Sequence, residues 1–66
     1  MVLDKEVFEK VLNQRVQLVN DEHFIISGIV TEVCDHSFTF FTNGKTLFLA
    51  FDRVLEIRPL RGGYVR

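Results

Sequence analysis

The dipeptide Asn43-Gly44 constrains this chain more than any other feature, because it is the preferred pair for a two-residue type I′ hairpin and lies between two apolar, alternating runs. The runs Phe38 to Thr42 and Lys45 to Phe51 are therefore expected to pair antiparallel. A two-residue loop leaves one register: Thr42 with Lys45, Phe41 with Thr46, Phe40 with Leu47, Thr39 with Phe48, and Phe38 with Leu49. Alternation then puts Phe38, Phe40, Leu47, Leu49 and Phe51 on one face, the expected core, which Phe24 is expected to join. Phe41 and Phe48 fall on the opposite face, diagonal to each other and within aromatic reach. Something has to cover them, either an N-terminal helix or another subunit or partner.

The helix comes from residues upstream. Asp4 can cap it by accepting a hydrogen bond from the Val7 amide, and Leu3 can pack on Phe8 as a hydrophobic staple. Val7, Phe8, Val11 and Leu12 recur at helical spacing, which predicts an amphipathic helix of about three turns. From Arg15 the period changes to two, with Val16 and Leu18 against Gln17, up to a turn at Asn20-Asp21-Glu22. A long strand rich in β-branched residues follows from His23 to Val33, interrupted by Gly28, which is expected to mark a bend or bulge. Cys34 to Ser37 make a turn, with Asp35 expected to bond its own backbone there. Val54 to Arg58 is a fifth strand, alternating Leu55 and Ile57 against Glu56 and ended by Pro59. The chain thus reads as mostly β with one N-terminal α-helix, a small, strongly bent five-stranded barrel of the Sm-like or SH3-like kind. Gly28, Asn43 and Gly44 are its structural positions. Residues 1–60 form a single domain, and 61–66 a flexible basic tail.

At 66 residues a lone core is near the lower limit of self-sufficiency, so outside support is expected. The single cysteine, Cys34, excludes an intrachain disulfide, and Cys34, His23 and His36 are too few to make a structural zinc site. A homo-oligomer remains. A lone cysteine and the lack of a leader suit a reducing cytoplasm, and no apolar run is long enough for a membrane span. Charge is uneven: residues 1–52 hold four basic and eight acidic side chains, net −4, whereas residues 53–66 hold four and one, net +3.

Little here points to catalysis. Cys34 and His36 flank Asp35 in a turn, and nothing in the spacing suggests a nucleophile oriented by a base and a third group, so no enzyme, cofactor or metal is expected.

Gly28-Ile29-Val30-Thr31-Glu32-Val33-Cys34-Asp35, followed by the alternating Phe38 and Phe40, resembles the first motif of the Sm-like (Sm, LSm and Hfq) small barrels, and Arg53-Val54-Leu55-Glu56-Ile57 is placed like the end of the second. The resemblance covers most of residues 15–58 and implies a ring-forming module that binds single-stranded RNA. Its candidate contacts are Asp35, His36, Lys45, Arg53, Arg58 and Arg61, the last within a single Arg61-Gly62-Gly63 tripeptide. A second reading is a protein-protein interaction or assembly module of the same shape, using exposed strand edges with Phe41 and Phe48. Near-neutral net charge favours it, as does Phe51-Asp52-Arg53 standing where the family has a basic residue and a glycine.

Overall fold

The computed structural model describes residues 4–60; Leu3, with its staple, and the tail with Arg61 lie outside that range. A helix α1 (Lys5–Lys10) precedes five strands, β1 (Arg15–Asn20), β2 (Ile25–Val33), β3 (Ser37–Thr42), β4 (Lys45–Ala50) and β5 (Val54–Pro59), with a 3-10 turn at Phe51–Arg53 between the last two. All strands are antiparallel in one sheet of order β4-β3-β2-β1-β5. The hairpin register is the one Asn43-Gly44 requires, pair for pair, and the two turn residues take the positive φ of a type I′ turn, 52° and 74°.

Two irregularities bend the sheet around its core. Val30 pairs with Phe40 and Glu32 with Thr39, so Thr31 is an extra residue in β2. Asn20 pairs with Val54 and Val19 with Glu56, so Leu55 is the extra residue in β5. Such bulges tighten local twist and reset the inward parity. Leu55 is consequently half exposed while Val54 is buried, which breaks the regular alternation expected of this strand.

Gly28 is not at either bulge. A Cβ there would overlap the Phe41 carbonyl oxygen and come within 2.9 Å of the Phe40 ring, so the glycine serves a close approach of strand to strand.

The core comprises Phe8, Val11, Val16, Leu18, Val30, Phe38, Phe40, Phe51 and Val54. Phe8 of α1 stacks on Phe38 at 4.5 Å and on Phe51 at 4.6 Å between ring centroids, joining helix, hairpin and 3-10 turn. The Asp4 cap forms as expected, its carboxylate accepting from the Val7 amide. The helix is nonetheless six residues long, short of three turns. Asn13, at φ 66°, donates its N–H to the Val30 carbonyl at 2.6 Å, and Leu12 bridges Val30, so β2 captures the chain before the helix can continue.

Three further expectations are corrected. Phe24 is 63% exposed and outside the core, because the Asn20 side chain accepts from the Glu22 and Phe24 amides in a tight turn, with His23 at φ 67°, and β2 starts only at Ile25. Asp35 makes no bond to its own turn, which the Cys34 N–H and Ser37 carbonyl close at 2.8 Å. The sheet also does not close into a barrel, since among the described residues β4 bonds only to β3 and β5 only to β1. Phe51 turns inward onto Phe8, and the chain re-enters beside β1 without pairing to β4. No helix among the described residues is long and apolar enough to cross a membrane.

Gly28 and Gly44 separate two kinds of cost. Gly28→Ala should destabilise by about 1–3 kcal/mol through overpacking. Gly44→Ala, with open space around it but φ of 74°, should cost about 1–2 kcal/mol through backbone strain alone. Urea unfolding of both variants checks this, and a Gly28→Ala protein as stable as wild type contradicts the close approach.

Candidate functional site

The five described residues expected at an RNA site, Asp35, His36, Lys45, Arg53 and Arg58, are not assembled into one patch. Asp35 and His36 occupy the β2–β3 turn, next to the 3-10 turn, where the Phe51 amide donates to the His36 carbonyl. Lys45 lies past the hairpin turn, at the other end of β3. Arg58 is further away across the sheet on β5, opposite Gln17. Arg61 lies outside the described residues.

Three of these side chains already have partners. Lys5 Nζ donates to Asp35 Oδ1 at 3.0 Å, Arg53 Nε meets Asp21 Oδ2 at 2.7 Å, and Arg58 meets Glu56 at 2.6 Å. The Arg53 link has a backbone companion, the Asp21 N–H donating to the Arg53 carbonyl, so it ties the β1–β2 turn to the start of β5. The hydrogen bond from Lys5, and secondarily its charge, holds the Asp35 carboxyl below the usual aspartate range, while Asp35 raises Lys5 by the same contact. Among the described residues no group of three or more His, Cys, Asp or Glu could hold a metal, and Cys34 is exposed as a free thiol.

Phe41 and Phe48 do lie on the outer face, as the hairpin register requires, but α1 does not cover them. Its Phe8 packs on the inner face instead. Phe48 is 80% exposed on the edge strand β4, and Phe41 is 44% exposed on β3. At the other edge of the sheet Leu55 is 50% exposed. Each of the two edges left unpaired among the described residues therefore carries a large apolar side chain in solvent.

The outer face also contains a cleft of about 340 Å³, lined by Arg15, Ser27, Gly28, Ile29, Phe41, Thr42 and Asn43. Cross-strand pairing lines up Arg15, Ile29 and Phe41 on β1, β2 and β3. Sequence reasoning passed over Arg15 and Ile29. Their outward parity, opposite Val16 and Val30, was readable, but their alignment with Phe41 depends on two strand registers that no turn motif specifies.

A scan against protein-family models and searches of curated proteins and of solved structures each give no significant match to this chain.

The Lys5–Asp35 pair lies at the surface, so solvent and salt screen it and titration is its most direct readout. An NMR titration of the Asp35 carboxyl should give a midpoint below that of an ordinary aspartate. Lys5→Gln should move the midpoint back up. Because the folded value is the depressed one, any stability from the pair is present above the unfolded value and lost as pH falls through the folded one. An unmoved midpoint in Lys5→Gln would show that the two side chains do not interact in solution.

Proposed function

We propose that this chain is a non-enzymatic, Sm-like assembly module whose copies join head to tail, the β4 edge of one against the β5 edge of the next. The observation that carries the reading is the open sheet, whose two unpaired edges belong to different strands. An exposed edge is a row of unused N–H and C=O groups that templates pairing with another chain. Phe48 on one edge and Leu55 on the other give that pairing an apolar seam. Because the two edges differ, their contact is heterologous, and repeating it generates a ring when the rotation closes. Self-association also answers the small size of the core in a 66-residue chain. The helix, the bent five-stranded sheet and the short link before β5 agree with the Sm-like resemblance of residues 15–58. A lone, exposed Cys34 suits a reducing cytoplasm.

Single-stranded RNA held by Asp35, His36, Lys45, Arg53 and Arg58 has less support. The candidates are dispersed, and Asp35, Arg53 and Arg58 are engaged in ion pairs.

Light scattering at micromolar concentration should give a mass of several chains. Phe48→Lys and Leu55→Lys should each give a folded monomer by circular dichroism, because both residues are exposed in the single chain. Each variant keeps one intact edge, so mixing the two should yield a one-to-one dimer. A monomeric wild type refutes assembly, and a mixture that remains monomeric refutes the head-to-tail arrangement.

A further inference from the structure

The outer-face cleft has a chemical character of its own. Its seven lining residues include one cation, Arg15, and no acidic side chain, in a chain whose first 52 residues carry an excess of four negative charges. Among the described residues Arg15 has no ion-pair partner, unlike Arg53 and Arg58. A guanidinium left open in a concave site presents a fork of donors matched to phosphate or carboxylate oxygens.

The opposite wall is aromatic. Phe41 lines the cleft and is 44% exposed, so its side chain is partly free to meet a ligand there. Ile29 lies between Arg15 and Phe41 in the cross-strand row, giving an apolar floor between cation and ring. With strands about 4.8 Å apart, the two outer members of the row are separated by roughly 10 Å at the backbone, within reach of a long arginine side chain. Ser27 and Asn43 add hydrogen-bonding groups at the rim, while the Thr42 hydroxyl is engaged with the Ser27 carbonyl at 2.6 Å.

The frame is fixed before a ligand arrives. Paired ladders hold all three strands, the Leu60 amide pins the Arg15 carbonyl at 2.9 Å, and Asn43-Gly44 sets the hairpin end. The cleft lies on the inner three strands of the sheet, away from the β4 and β5 edges, so assembly through those edges leaves it open.

We propose that this cleft binds a nucleotide, its phosphate on the Arg15 guanidinium and its base against the Phe41 ring, with the sugar over Ile29. Stacking on an aromatic ring tolerates any base, and the charge-assisted contact supplies the phosphate preference. The volume of about 340 Å³ lies at the small end of ligand sites, as one nucleotide unit requires. This proposal does not depend on the assembly reading.

The test is NMR titration of the full chain with uridine and adenosine 5′-monophosphates, with the matching nucleosides, with phenylacetate, and with a short oligouridylate. Saturable shifts confined to Arg15, Ser27, Ile29, Phe41 and Asn43 are expected for both nucleotides. The nucleosides and phenylacetate should bind at least about tenfold more weakly, having lost the phosphate or the base. Arg15→Gln should weaken nucleotide binding at least about tenfold and flatten its salt dependence. Lys10→Gln, which removes one positive charge elsewhere on the surface, should leave binding within about twofold. Tighter binding of the oligouridylate than of the mononucleotides marks the cleft as one stop on a single strand, and equal binding marks a site for free nucleotides. Either result supports the proposal. Absence of saturable shifts overturns it, as do equal losses in Arg15→Gln and Lys10→Gln or phenylacetate binding as tightly as the nucleotides.

Discussion

The stack of Phe8 on Phe38 and Phe51 is the interaction on which the rest of the structure depends. It is the point where three distant parts of the chain meet: a helix of six residues, the β3–β4 hairpin and the 3-10 turn before β5. A helix this short does not hold in water by itself, so α1 exists because Phe8 is fully buried against the other two rings. The same contact draws Phe51 inward, and the turn it anchors directs the chain to β1 instead of back along β4.

The open sheet follows from that routing. A ladder between β4 and β5 would have closed a barrel and removed both edges. With Phe51 committed to the interior, two strands keep a free edge, and the apolar side chains Phe48 and Leu55 stand beside them in solvent. Head-to-tail pairing would satisfy the free backbone groups and cover those side chains in a single step, whereas a scattered set of ion-paired charges would do neither.

Much of the fold was legible because a few residues dictate local geometry. Asn43 and Gly44 determine a turn type, and the turn type determines a register that holds through six residue pairs. Asp4 likewise marks the helix start. What could not be read were the features set by tertiary competition. Nothing local distinguishes Leu12, which leaves the helix to bridge Val30, from Val11, which is buried. Gly28 looked like the bend because glycines often are, whereas the bends fall at Thr31 and Leu55, residues with ordinary strand preferences. Phe24 has the same apolar character as Phe38, and only the Asn20 side chain bonding two amides turns it out to solvent. The outer-face row of Arg15, Ile29 and Phe41 was hidden for a related reason, since it exists only once three strands are in register.

The central claim is that β4 and β5 are both edges in one copy and become partners between copies. Hydrogen exchange of the individual backbone amides of β4 and β5, followed as the protein is diluted, tests it most directly. If the account is right, the outward amides of both strands, those not bonded to β3 or to β1, are protected at high concentration and lose protection together on dilution, while the amides pairing β1 with β2 stay protected throughout. Protection of those outward amides that does not change with concentration, or that appears on one of the two strands alone, would contradict it.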